Sequence, residues 1–164
     1  MELGSVVVID SPIGQIAIGA TDHGVAEVAI LEPGERRAEF QNSSKSNAHA
    51  KTGAKQMTEF FSGQRKTFDL ELDLVGTEFQ QSVWKAIAGL DKGKVLSYAG
   101  LAQQIHKPLA ARAVGGAVGS NPVPLIIGCH RILGSSGTLT GYSGGGGLRT
   151  KRWLLDFEGI SYKS

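Results

Sequence analysis

The sequence predicts two domains: a small α/β domain over residues 1–75, and a helical domain with a helix-turn-helix over residues 76–164. Short alternating apolar segments separated by turn residues indicate strands in the first part. In the second part, two short helical patterns flank a tight turn, which is the spacing of a helix-turn-helix. The two predicted domains also differ in net charge. Residues 1–75 hold 11 acidic and 7 basic side chains (7 − 11 = −4), and residues 76–164 hold 4 and 10 (10 − 4 = +6).

The first domain is predicted to begin with three antiparallel strands, near residues 5–9, 15–18 and 25–31, joined by Asp/Gly/Pro turns. A polar stretch follows, and residues 41–47 are typical of a mobile loop. Apolar residues at helical spacing predict a helix over 48–61, and clean alternation predicts a half-buried strand over 67–74. The domain boundary is placed between Val75 and Gly76.

The second domain is predicted to open with a helix capped by Thr77, because Gln80 three residues later completes a capping box. Helices over residues 98–105 and 109–118 form the helix-turn-helix, with Ser97 as the N-cap of the first. A last helix over 148–158 is expected to turn four side chains inward and two outward: Leu148, Leu154, Leu155 and Phe157 inward, Lys151 and Arg152 outward.

Composition excludes several classes of protein. A single cysteine forms no internal disulfide, and four scattered histidines offer no pair at zinc-ligand spacing, so no metal and no cofactor is expected. No signal-type segment and no run of membrane-spanning length is seen, so the expected location is the cytoplasm, without membrane association. The basic C-terminal part favours a polyanion such as nucleic acid, although surface composition alone can produce such an asymmetry.

The second helix of the helix-turn-helix is nearly bare of side chains. Its residues are mostly alanine and glycine, and the pair Gly115-Gly116 costs about 2 kcal/mol relative to alanine. Close packing against another helix is one explanation. The other is that a slim helix carrying the single long cation Arg112 enters a nucleic-acid groove.

Cys129 is the only cysteine, and His130 follows it directly. A lone cysteine is most often a small buried hydrophobe. Here, however, a proline-stiffened segment and Gly128 precede it, and a glycine-rich loop of the kind that covers ligands comes after it. Neighbours in an extended chain point to opposite faces, so contact between the two side chains requires a bend or a bridging water.

Glu158 ends the last helix, where a carboxylate faces the unfavourable end of the helix dipole. It is either a solvated helix end or the group that orients a histidine beside a cysteine nucleophile.

Four motifs carry a specific resemblance: Asn121-Pro-Val-Pro124, Cys129-His-Arg131, Gly141-Tyr-Ser-Gly-Gly145 and Lys151 through Glu158-Gly159. With residues 76–84, 97–98 and 111–117, they make the second half resemble the O6-alkylguanine-DNA alkyltransferases. The first half is similar in its order of elements, which implies a ribonuclease H-like sheet with a helix.

The resemblance implies direct DNA repair. An alkyl group passes irreversibly from O6 of a flipped-out guanine, or from O4 of thymine, to Cys129, and each molecule acts once. His130 would deprotonate Cys129 through a water, Glu158 would orient His130, and Asn121 would be the hinge between recognition helix and active-site segment.

The family also implies binding residues. The substrate pocket would be formed by Tyr98, Val118, Ile132, Tyr142 and Ser143. DNA would be held in the minor groove of the duplex, by a monomer, through Arg112, Ala111, Gly115 and Gly116, with Arg112 filling the gap left in the base stack.

Two departures from the family stand out: Gly128 replaces the usual proline before the cysteine, and four glycines follow Tyr142-Ser143 where two are usual. Both are expected to loosen the site. Relatives that bind zinc do so through cysteines in the first domain, and this chain has none there.

Three alternatives remain. A non-enzymatic sensor of alkylated bases would resemble the alkyltransferase-like proteins, which carry tryptophan where this chain has Cys129. A helix-turn-helix regulator would read sequence poorly with so slim a helix, and a Cys-His protease lacks a separated histidine and an oxyanion site.

Overall fold

The structure is a computed structural model that describes residues 4–32, 47–142 and 144–164. The chain divides into two compact units, Met1–Val75 and Gly76–Ser164. The predicted mobile loop over 41–47 lies outside the described residues, apart from Asn47. None of the described helices combines the length and apolar character needed to cross a membrane.

The first unit is built on an antiparallel sheet in the order β1 (Ser5–Ile9), β2 (Ile16–Ala20) and β3 (Val25–Ile30). All five residues of the central strand β2 are buried. The predicted meander is therefore confirmed, because short β-branched strands separated by tight turns pair with their neighbours in sequence.

Helix α1 (Ala48–Phe61) packs on this sheet, and its first turn is capped by the side chain of Asn47. It buries one apolar face: Ala50, Ala54, Met57 and Phe60. Gly53 allows the close approach, since a Cβ there would lie 3.0 Å from Cγ2 of Ile18.

The strand expected over residues 67–74 is wrong as a regular element. Only Leu72 forms a bridge, parallel to Val25, and the rest of the segment is irregular. A different interaction holds the segment: the amide of Gln56 donates to the Asp69 carbonyl and accepts from the Asp69 N–H, both at 2.9 Å. A helix side chain thus holds the segment at Asp69, while β3 holds it around Leu72 through the N–H and carbonyl of Val25.

The second unit begins with α2 (Glu78–Ala88), whose Thr77–Gln80 capping box forms as predicted. Trp84 is buried on its inner face and donates from Nε1 to the carbonyl of Ala117 at 2.8 Å. That bond joins α2 to the helix-turn-helix.

The helix-turn-helix consists of α3 (Tyr98–Gln104), capped by Ser97, and α4 (Ala111–Gly119). The second helix starts two residues later than predicted, because Ala110 takes non-helical angles, and Leu109 is left fully exposed in the turn.

A short parallel pair, β4 (Leu96–Ser97) and β5 (Ile132–Leu133), places the start of α3 beside the chain that follows Cys129. The last helix is α5 (Leu148–Phe157). Leu154 and Leu155 are buried in it as expected, but Leu148 is 41% exposed, so its predicted inward position is wrong.

Candidate active site

Cys129 lies at the start of a short 3-10 helix, Cys129–Arg131, and is 7% exposed. This turn supplies the bend that contact with His130 requires, because successive side chains on a 3-10 helix are separated by about 120° rather than 180°. Burial raises the pKa of the Cys129 thiol, and hydrogen bonding by Asn121 and the charge of Lys151 offset part of that rise. The resting group is therefore a thiol, and it needs a base to become a nucleophile.

Asn121 follows α4 and is bonded to the active-site segment by both ends of its side-chain amide. Its Nδ2 donates to the Ile127 carbonyl at 2.8 Å, and its Oδ1 accepts from the Val123 N–H at 3.0 Å. Ile127 in turn accepts from the Cys129 N–H at 2.8 Å. A continuous set of hydrogen bonds therefore runs from the end of α4 to the cysteine.

His130 is fully buried, and its Nε2 is hydrogen-bonded to Oε2 of Glu158. Arg131 approaches the same carboxylate, with Nε 2.8 Å from Oε1 and Nη2 3.2 Å from Oε2. The Gly93 N–H donates to Oε1 at 3.0 Å, and Nη1 of Arg131 donates to the Leu90 carbonyl at 2.9 Å. Glu158 is therefore no solvated helix end: its side chain is fully buried and every oxygen is paired.

These contacts decide where the protons lie. Burial alone would raise the pKa of Glu158, but the hydrogen bonds and charges of His130 and Arg131 lower it to about 2. Burial lowers the pKa of His130, and Glu158 only partly compensates. At neutral pH the pair is thus a carboxylate and a neutral imidazole. Because a carboxylate only accepts, Nε2 of His130 carries the ring proton and Nδ1 is the basic nitrogen.

Nδ1 of His130 is buried and has no hydrogen-bond partner among the described residues. His130 directly follows Cys129, so this buried basic nitrogen lies on the residue next to the thiol.

Lys151 was predicted to face outward, and that prediction is wrong. Only 1% of it is exposed, and its Nζ donates to the carbonyl of Ile132 at 2.7 Å. Burial lowers its pKa to about 8, while the charge of Cys129 acts in the opposite direction. Helical spacing missed this residue because a long amphipathic side chain can occupy an inward position when its ammonium finds a partner.

A cavity of about 310 Å³ opens at Cys129. Helix-turn-helix residues and the glycine-rich loop form its walls among the described residues: Tyr98, Gly115, Val118, Gly119, Cys129, Gly141 and Tyr142. Ile132 is fully buried and is not among these lining residues. Ser143 lies outside the described residues.

Two tyrosines contribute polar groups to the cavity. The Tyr142 hydroxyl is buried and interacts with the Cys129 thiol, although no oxygen or nitrogen of the described residues lies within hydrogen-bond reach of it. Burial, followed by the charge of Cys129 and its hydrogen bond with the thiol, raises the pKa of Tyr142 well above its ordinary value, so it stays a neutral donor. The Tyr98 hydroxyl is hydrogen-bonded to Oγ1 of Thr140 at 3.1 Å, and Thr140 was not singled out from the sequence.

The exposed face of α4 carries few large side chains. Arg112 and Gly116 are exposed, while Ala111 and Gly115 are partly exposed. A Cβ at Gly116 would meet nothing within 4 Å, and one at Gly115 would make only ordinary contact with the Tyr98 ring at 3.9 Å. Close packing within the described structure therefore does not explain these glycines.

The cavity at Cys129 is lined in part by helix-turn-helix residues, and a buried His130–Glu158 pair follows the cysteine in the chain, as expected of a DNA-directed transferase with a cysteine acceptor. Residues 7–74 match the ribonuclease-like domain of 6-O-methylguanine DNA methyltransferase, and residues 78–160 match its DNA binding domain. The chain belongs to the 6-O-methylguanine DNA methyltransferase family, as the resemblance predicted, and its two-domain fold is confirmed.

Two curated relatives and a solved structure are similar to this chain over most of its length. A methylated-DNA–protein-cysteine methyltransferase of Mycobacterium tuberculosis is 43% identical over 157 residues, covering 92% of this chain and 89% of the relative. One from Methanosarcina barkeri is 41% identical over 152 residues, covering 92% and 94%. The crystal structure of Mycobacterium tuberculosis OGT in complex with DNA superposes with a TM-score of 0.81 at 40% identity, covering 94% and 92%. The activity is direct DNA repair by transfer of a methyl group to a protein cysteine.

The buried carboxylate leads to a titration prediction. In the wild-type protein the Glu158 carboxyl should stay ionised down to about pH 2, and Arg131→Met should raise its midpoint by roughly one to three pH units. Its pKa when folded lies below its value in the unfolded chain. Its stabilising contribution is therefore complete above about pH 4.5 and is lost as the pH falls towards 2.

The titration is followed by ¹³C NMR of the glutamate side-chain carboxyls, with Arg131→Lys as the matched control, which keeps the charge but not the paired donors. A wild-type midpoint near 4.5, or no change on removing Arg131, would refute this account of the site.

Proposed function

We propose that Cys129 is the alkyl acceptor, that Nδ1 of His130 takes its proton, and that Glu158 holds His130 in the tautomer this requires. The observation that carries the proposal is the combination of an ionised Glu158 and a neutral His130 whose Nδ1 has no partner within the described part of the chain, on the residue next to the only cysteine. A water molecule bridges Nδ1 and the thiol in this mechanism.

The transfer is a single displacement. The Cys129 thiolate attacks the alkyl carbon on O6 of guanine, the new S–C bond forms as the C–O6 bond breaks, and the electron pair leaves with the guanine. The proton taken up by His130 balances the negative charge that leaves with the guanine, and the neutral Tyr142 hydroxyl can donate a hydrogen bond to that base. The thioether is stable, so each molecule acts once.

Lys151 assists this step electrostatically. Its charge lowers the cost of forming a thiolate in a buried cavity, since opposite charges favour each other strongly where water is excluded. Asn121 keeps the cysteine segment in fixed register with α4 through its two hydrogen bonds.

We propose that double-stranded DNA carrying O6-alkylguanine binds along α4, in the minor groove, to a single copy of the protein. The exposed, nearly bare surface of α4 lets the backbone approach the groove closely, and Arg112 is the long cation on that surface. The net charge of +6 over residues 76–164 supports a polyanion partner. The flipped base enters the cavity between Tyr98, Val118 and Tyr142, with Ser143 as a further pocket residue and Ile132 as an apolar group behind it.

The acceptor is tested by mixing the protein with a duplex holding one O6-methylguanine and measuring its mass. We expect one added methyl group, located by peptide mapping to Cys129, and no addition to Cys129→Ser, which keeps the shape but lacks the thiol.

Methylation of another residue would contradict the assignment. If the wild-type protein bound the damaged duplex without any change in mass, it would act as a sensor of damage.

Arg112→Ala is expected to slow repair of the duplex by roughly tenfold or more, while reaction with free O6-benzylguanine is largely retained. The reason is that Arg112 acts on the duplex, filling the gap left by the flipped base, and lies outside the cavity. Rates of Cys129 alkylation on both substrates measure this, with Arg112→Lys as a control for charge. Equal losses on the two substrates would contradict a role confined to base flipping.

A further inference from the structure

Tyr98 stands at the junction of the helix-turn-helix and the cavity. It is the first residue of α3 and lines the cavity that opens at Cys129. Gly115 of α4 lies against its ring, and a Cβ at that position would be 3.9 Å from two ring carbons. Because glycine has no side chain to pack against the ring, the orientation of Tyr98 depends on the hydrogen bond at its hydroxyl.

Thr140 supplies that group. Its Oγ1 lies 3.1 Å from the Tyr98 hydroxyl. Its methyl group packs on the backbone of Gly134, so closely that a Cβ at Gly134 would come within 2.9 Å of Cγ2. Because a β-branched side chain has few χ1 rotamers, seating the methyl group on Gly134 directs the hydroxyl to Tyr98.

The backbone that carries Thr140 is anchored by the end of the chain. The Leu139 N–H donates to the Lys163 carbonyl at 2.6 Å, and the Lys163 N–H donates to the Gly137 carbonyl at 2.9 Å. Leu139 and Tyr162 also pack on a small apolar cluster of Leu133, Leu155 and Ile160. The backbone just before Thr140 is thus held by strand-like pairing with Lys163.

We propose that Thr140 is a positioning residue for the transfer reaction, acting through Tyr98. Its hydroxyl fixes the phenol in the wall of the cavity, so that Tyr98 meets the incoming nucleotide in one orientation. The inference rests on the proposed function, in which a flipped nucleotide contacts Tyr98 in the cavity at Cys129. It adds a specificity role: a fixed phenol limits the space in the cavity and favours small alkyl groups over bulky ones.

Two substitutions separate the hydroxyl from the shape of the side chain. Thr140→Val keeps the branched shape and its contact with Gly134 but removes the hydrogen bond, whereas Thr140→Ser keeps the hydroxyl. Single-turnover alkylation of Cys129 is measured over a range of concentrations of a duplex with one O6-methylguanine, and with free O6-benzylguanine.

We expect Thr140→Val to lower the maximal rate on the duplex roughly three- to tenfold, which is the effect of one neutral hydrogen bond. The duplex concentration at half-maximal rate should stay within about twofold of the wild-type value, and the ratio of the rate with free O6-benzylguanine to the duplex rate should rise at least threefold. Thr140→Ser should restore the duplex rate.

A double-mutant cycle tests the route through Tyr98. Both Tyr98→Phe and Thr140→Val remove the same hydrogen bond, so Thr140→Val should have almost no further effect on the duplex rate in the Tyr98→Phe protein.

A Thr140→Val protein with the wild-type duplex rate would overturn the inference, as would equal losses in the valine and serine variants. Additive losses in the cycle would also overturn it. A wild-type protein that never alkylates Cys129 would instead overturn the proposed function, and this inference with it.

Discussion

The site depends on keeping one carboxylate charged where water does not reach it. Burial of Glu158 favours the neutral acid, and the charge persists because the guanidinium of Arg131, the Gly93 N–H and His130 all donate to it. Arg131 is itself hydrogen-bonded to the Leu90 carbonyl. Residues 90–93 and the end of α5 are therefore both tied to the Glu158 carboxylate, directly or through Arg131. Removing a donor would leave a buried charge partly unpaired, which is more costly than never having formed the pair.

The Glu158 carboxylate also determines which ring nitrogen of His130 is basic. With Nε2 committed to Glu158, only Nδ1 of His130 is basic, and it lies on the residue next to a thiol whose pKa is raised by burial. The protein at rest therefore keeps its single thiol protonated. The charge of Lys151 reduces the cost of ionising that thiol. In the proposed mechanism this keeps the cysteine unreactive until the substrate is in place.

Local sequence signals predicted the helical parts of the fold well. The Thr77–Gln80 capping box and the Ser97 cap each depend on a few neighbouring residues, and both formed as expected. The segment over 67–74 has the alternation of a strand, but whether it pairs is decided by distant partners, and it shares its hydrogen bonds between Val25 of β3 and the side chain of Gln56. Strand prediction fails in this way because pairing is non-local.

The site itself was only partly predictable. The family motifs singled out Cys129, His130 and Glu158, which are brought together as buried neighbours, whereas periodicity placed Lys151 on the wrong face and Leu148 in the core. Nothing in the local sequence marks Thr140 or Arg131 as partners of Tyr98 and Glu158, since both contacts join residues at least 27 positions apart. Only the fold brings such groups together.

The central claim is the protonation state of His130, and ¹⁵N NMR of its imidazole ring tests it most directly. At pH 7 we predict a neutral ring with its proton on Nε2 and an unprotonated Nδ1. A ring with the proton on Nδ1, or an imidazolium carrying both protons, would contradict the account, because neither has a basic nitrogen available for the Cys129 thiol.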